Sequence, residues 1–406
     1  MDFGSFALPR DRHHAPVGGL DLQQGKNKKT GQYLSLQRGS GLEQVDHAAT
    51  NRGSLAEGTG YSAAIRVFSR FVVPRFSFEA LVVRQNRIKI DPSEAEACYH
   101  CVTRTVNGEF LFDESARETL RRMIWRIADF CGVKVITYAI LSNHFHVLVR
   151  VPRREFVSDE ELLRRYGSLH PEATSYQTPA IPVVRAHLAE NDQWAVEWRR
   201  RQLALMGDVS QFMKLLKQRF SIWFNKNRDR FGTLWAERFR SVLIECGEHV
   251  LATVAAYIDL NAVRAGLAND PKDYRFCGYA EAVAGVKVAE DGIRSIFSDA
   301  DWKVVHDKYR TRLFVSGSVG REGARGITRD DFIKVVADGG RLPLVQVLLC
   351  RVRYFTYGAV LGGQVFVEER LSAMRRINPG SYERSAIPLP PVTDWGGLTT
   401  MIAVRP

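Results

Sequence analysis

The chain has 406 residues, 45% of them hydrophobic, with a formal net charge of +12 and an isoelectric point near 9.5. That length holds two or three ordinary domains, and the apolar share excludes a wholly disordered chain. A basic balance of this kind points to a polyanionic partner, nucleic acid above all.

Residues 1 to 65 are rich in Gly, Ser, Gln, Asn and basic residues, and stretches such as Gln24–Thr30 read as a disordered tail. Residues 1–92 are therefore set apart as a basic N-terminal extension, with short strand-like pieces at Phe71–Val73 and Leu81–Val83. The N-terminus lacks an apolar core segment, so no secretory signal is expected. Cys98–Arg104 reads as a strand, followed by an Asn107-Gly108 turn. Ser115–Cys131 has the i, i+3, i+4 apolar spacing of a helix, with Asp113 or Ser115 to cap it and Gly132 to end it. Lys134–Leu141 and His144–Val151 read as strands joined by Ser142-Asn143, an antiparallel hairpin. Residues 152–208 read as a helical insertion, with helix at Glu160–Tyr166 and Val183–Met206. Val209–Asn227 continues as helix, Trp235–Ile244 is extended, and Glu248–Leu260 is a further helix. Residues 281–406 form a C-terminal region with a candidate DNA-binding module at 340–372.

The six cysteines are scattered, which suits a reducing cytoplasm. Cys98 and Cys101 point to opposite faces of a strand and have no second pair, so they do not read as a zinc site. No apolar run spans a bilayer, since the longest, near Val250–Ala268, is broken by Asp259 and Arg264.

Three features carry chemistry. In His144-Phe145-His146 the two imidazoles share one face of a strand, half of a divalent-metal site. A bare H-x-H equally describes two half-exposed histidines. Tyr257 and Asn261 lie i, i+4 on a helix. A tyrosine can act as a covalent nucleophile and an amide oxygen can hold a hard cation, while the same pair also suits helix packing. Third, the Arg199–Arg240 block interleaves cations with Phe220, Trp223, Phe224, Phe231 and Trp235. Cations neutralise phosphates and aromatic rings stack on unpaired bases. Phe212, Leu215, Leu216 and Phe220 have core spacing instead. The candidate DNA contacts are Arg104, Lys214, Lys217, Arg219, Lys226, Arg228, Arg238, Arg240 and Arg264.

Taken in order, the blocks S142–V149 (SNHFHVLV), Gly232–Trp235 with Arg238–Ser241, and Tyr257–Gly266 (YIDLNAVRAG) resemble the single-tyrosine HUH transposases, and within them the bacterial REP-associated tyrosine transposases. Cys98–Phe112 is similar to that branch's first strand and loop, and Arg351–Glu369 to a C-terminal segment of longer members. The resemblance covers roughly residues 97 to 280. It implies an α+β fold with a ferredoxin-like antiparallel sheet, at residues 93–280. It implies a divalent metal, Mg²⁺ or Mn²⁺, on His144, His146 and Asn261, and Tyr257 as nucleophile. It implies nicking and rejoining of single-stranded or hairpin DNA through a 5′-phosphotyrosine, in DNA transposition and recombination. The protein would then sit in the cytoplasm with the nucleoid, off the membrane, with a homodimer among its assemblies. Where the family has proline after the asparagine, this chain has Ala262, which suits a helix better. Three other readings stay open: a rolling-circle initiator or relaxase-like nickase, a catalytically silent DNA-binding protein, and a metal-free RNA-binding scaffold.

Overall fold

The computed structural model describes residues 88, 94–153, 156–171, 178–298, 301–314, 348, 354–377, 384–389 and 397–403. Apart from Ile88, the 1–92 extension lies outside the described residues, together with the strand-like pieces expected there.

The chain opens with β1 (Glu96–Arg104), α1 (Glu114–Cys131), β2 (Lys134–Ile140) and β3 (His144–Pro152). The sequence signals act as expected at α1: Asp113 rather than Ser115 is the cap, accepting from the Ala116 N–H at 2.8 Å, and Gly132 ends the helix at φ 64°. Left-handed φ is the region where glycine costs least. The insertion is helical: α2 (Asp159–Leu169), α3 (Ile181–Glu190) and α4 (Gln193–Leu203). The single helical stretch expected over 183–206 is divided. Asn191 turns left-handed at φ 49°, and Asp192 caps a new helix by accepting from the Ala195 N–H.

Next come α5 (Val209–Asn227), β4 (Arg240–Ile244), α6 (Glu248–Asp259) and the short α7 (Asn261–Arg264). The strand is shorter than the extended stretch read from Trp235, because β1 pairs only with Arg240–Ile244; Trp235 makes one isolated bridge to Thr105. Helices α8 (Gly278–Val283), α9 (Lys287–Arg294) and α10 (Trp302–Phe314) follow. The C-terminal residues give α11 (Tyr354–Tyr357), β5 (Val360–Gly363), α12 (Gln364–Ile377), β6 (Arg384–Pro388) and β7 (Leu398–Ala403).

The strands form one sheet in the order β2-β3-β1-β4-β5-β7-β6. Its first four strands are antiparallel neighbours, and the order β2-β3-β1-β4 along a β-α-β-β-(helices)-β path is the ferredoxin-like arrangement. The fold is α+β. β5 joins β4 in parallel, Leu243 opposite Val360 and Ile244 opposite Leu361, so the sheet runs on into the C-terminal region.

Alternation along β3 sorts the two faces. Phe145 packs with Trp235, which meets Phe112 and Phe220 beneath α1 and α5. His146 faces α6, where Tyr257 lies. Every residue of α6 from Val250 to Asp259 is buried, as expected of a helix apolar on all sides. Among the described residues no helix is long and apolar enough to cross a membrane.

Candidate active site

β3 pairs with β1 so that His144 lies opposite Arg104 and His146 opposite Val102. The period of two puts both imidazoles on the α6 side, with ring centroids 5.2 Å apart. Tyr257 comes down from α6, its ring centroid 6.1 Å from that of His146. Asn261 follows where α6 gives way to α7. Its Nδ2 donates to the Tyr257 and Ile258 carbonyls at 2.9 and 3.1 Å, satisfying last-turn carbonyls that the helix itself leaves open. Its Oδ1 accepts from the Arg264 guanidinium.

A cleft of about 370 Å³ opens on these groups. His144, His146, Tyr257, Asn261, Arg104, Arg238, Arg240 and Arg264 all line it, with Glu237 as the one carboxylate among the described residues that do. Glu237 accepts from Arg240 at 2.9 Å. The excess of guanidinium gives the cleft a positive potential. Tyr257 is only 1% exposed. Its ring is held between Phe355, at 5.0 Å between centroids, and the Arg264 guanidinium, 4.7 Å from the ring centre.

Burial, then the neighbouring His100, His144 and nearby arginines, holds His146 well below the ordinary histidine range. A neutral imidazole is the form that ligates a metal. His144 Nδ1 lies 2.6 Å from Asn143 Oδ1. Asn143 Nδ2 donates to the Gly108 carbonyl at 2.8 Å, which fixes the amide so that its oxygen faces the imidazole. In its neutral form His144 therefore carries its proton on Nδ1 and its lone pair on Nε2. Among the described residues there is no cluster of three or more His, Cys, Asp or Glu that could hold a metal ion. The donor set at this cleft is two imidazoles and one amide oxygen.

The cations expected on α5, and Arg228 just after it, are not brought to the cleft. Lys217 donates to the Glu237 carbonyl at 2.7 Å, and burial pushes its ammonium down to about 8. Arg219 reaches His170 Nε2 at 3.1 Å, and Arg228 pairs with Asp113. Lys214 and Lys226 are exposed on the helix. Of the interleaved aromatics, Phe220, Phe224 and Trp235 are core, whereas Phe231 is 91% exposed. A second, open groove of about 560 Å³ lies beside Ser142, lined by Phe110, Phe112, Phe224, Arg228 and Arg230 among others. Phe110 there is 81% exposed.

Sequence reasoning missed the cleft residues Thr356 and Tyr357 and the buried His100 behind His146. The period of two along β1 puts His100 on the face of Val102 and Arg104, which was a usable signal. Nothing local announces Thr356 or Tyr357.

Residues 94–160 match the model of the family described as "Transposase IS200 like". The matched stretch runs from just before β1 to the start of α2 and includes His144 and His146; Tyr257 and Asn261 lie beyond it. A solved structure described as the REP associates tyrosine transposase bound to a REP hairpin aligns at 13% identity, covering 50% of this chain and 86% of that one, with a TM-score of 0.28. No curated protein matches the sequence.

Proposed function

We propose that the chain nicks and rejoins single-stranded DNA as a REP-associated type of tyrosine transposase. One observation carries the reading: a histidine pair from IS200-like sequence shares a cleft with a tyrosine, an asparagine and four arginines. His144, His146 and the second lone pair of Asn261 Oδ1 suit a divalent ion of the Mg²⁺ or Mn²⁺ kind. When bound, such an ion supplies Lewis-acid polarisation of a non-bridging phosphate oxygen. The arginines hold the flanking phosphates, and Arg264 keeps the Tyr257 ring in place. Tyr257 Oη attacks phosphorus, the bond from phosphorus to O3′ breaks, and the phenol loses a proton as the leaving oxygen gains one. The products are a 5′-phosphotyrosine and a free 3′-hydroxyl. Attack by another 3′-hydroxyl reverses the exchange and needs no ATP. Exposed Phe110 and Phe231 offer faces for unpaired bases.

The depth of Tyr257 favours one other reading, a protein that binds DNA without cutting it. Incubation with labelled hairpin DNA from beside its own gene, in Mg²⁺ or Mn²⁺, separates the two on a denaturing gel. The nuclease reading expects a cleaved strand and a protein-linked strand, both lost in Tyr257→Phe and with EDTA. Binding without cleavage in either metal supports the silent protein.

A further inference from the structure

His146 has a supporting partner from outside its hairpin, and that partner leads to the C-terminal region. His146 Nδ1 lies 2.9 Å from His100 Nε2, and His100 Nδ1 lies 2.6 Å from the Phe355 carbonyl oxygen. A carbonyl oxygen only accepts, so His100 carries its proton on Nδ1. His100 is fully buried and His146 is 2% exposed, surroundings that favour neutral rings. A neutral His100 with its proton on Nδ1 presents a lone pair on Nε2. His146 Nδ1–H must then donate to it. This leaves the His146 lone pair on Nε2, matching the tautomer that Asn143 imposes on His144 by a separate route.

We infer that His100 is a positioning residue for His146, and that the Phe355 backbone carbonyl, at the end of this relay, makes the C-terminal arm part of the ion site. The inference rests on the ion-site reading above. Phe355 is completely buried, and its ring also packs on Tyr257. One residue of the arm thus steadies the tautomer of a proposed ligand and the ring of the proposed nucleophile. The arm is held there by β5 on β4 and by a 2.6 Å bond from the Gly363 N–H to Glu245 Oε2. Hydrogen-bond partners of this kind set ring orientation and ligand basicity at metal sites, and losing one lowers metal affinity roughly 10- to 100-fold.

Two measurements on the full chain test this without relying on activity. The first is the histidine ¹⁵N spectrum of the metal-free protein, expected to give His146 protonated on Nδ1. Protonation on Nε2 overturns the inference. The second is Mn²⁺ affinity by calorimetry for wild type, His100→Phe, His100→Gln and His146→Ala, with thermal melts to confirm folding. His100→Phe keeps a ring but no acceptor, and is expected to bind Mn²⁺ about 10- to 100-fold more weakly. His100→Gln puts an amide oxygen near the place of Nε2 and is expected to recover most of that loss. Wild-type affinity in His100→Phe overturns the positioning role, as does a His100→Gln as weak as His100→Phe. If His100→Phe does not fold, the spectrum and His100→Gln decide alone. Wild type that binds no Mn²⁺, or no more tightly than His146→Ala, removes the ion-site reading itself and the inference with it.

Discussion

Two groups of cations in this molecule look alike in sequence and differ in structure. Arg238 and Arg240 close the basic block that also contains Lys217, Arg219 and Arg228. The first two line the cleft with Arg104 and Arg264, which come from distant parts of the chain. The other three are engaged with the protein itself, on the Glu237 carbonyl, His170 and Asp113. A run of charge therefore does not define a binding face. The end of β1, the start of β4 and the short α7 select which cations converge, while α5 and the residue after it engage theirs in internal contacts.

The largest effect that sharpens this comparison is at the cleft. His146→Ala should lower DNA cleavage in Mn²⁺ roughly a hundredfold or more while the fold persists. Single-turnover assays with a thermal melt check it, and cleavage within a few-fold of wild type breaks the cleft's claim. Next, Arg104→Ala with Arg238→Ala and Arg240→Ala should weaken single-stranded DNA binding and reduce the log–log salt slope by about 2, since each single-strand phosphate contact contributes about 0.7. Lys217→Ala with Arg219→Ala and Arg228→Ala should leave that slope nearly unchanged. Anisotropy titrations across salt measure both, and the reverse pattern would erase the distinction. The same α5 variant should instead lose stability. Arg228–Asp113 alone is half-exposed, with 39% and 52% of the two side chains open to solvent, so that pair contributes at most about 1 kcal/mol.

The smallest effect is a pH dependence at the α5 contact. Burial, then the Arg219 charge, pushes His170 down from the ordinary histidine value of 6.5 to about 4. The unfolded chain takes up this proton first as pH falls. The stability held above pH 6.5 is therefore lost progressively between about 6.5 and 4. His170→Gln should flatten that part of the profile modestly, because the site is partly solvated. Urea midpoints at pH 7 and pH 5 test it, and an unchanged slope in the variant contradicts the assignment.

Much of the sheet's first half was legible because its signals are local. Asp113 and Gly132 bound α1, Ser142-Asn143 turns the hairpin, and the alternation through His144, Phe145 and His146 assigns faces. The break at Asn191 was not legible, since helical periodicity passes through a residue whose left-handed φ ends the helix. Pairing of β5 with β4 joins residues more than a hundred positions apart through two register pairs, and no local pattern encodes it. His100 was visible as a residue, but its place in the site depends on a carbonyl 255 positions away. Phe231 is exposed in the turn after α5, between Asp229 and Gly232, both at positive φ. In sequence it is one aromatic among several that became core.

The central claim is that Tyr257 becomes covalently joined to DNA. The direct test is to trap the protein–DNA adduct with a hairpin substrate, digest it, and locate the modified peptide by mass spectrometry. The account predicts a nucleotide remnant on the peptide that contains Tyr257, and no adduct in Tyr257→Phe. Cleaved DNA with the adduct on another residue, or with no adduct at all, would contradict it.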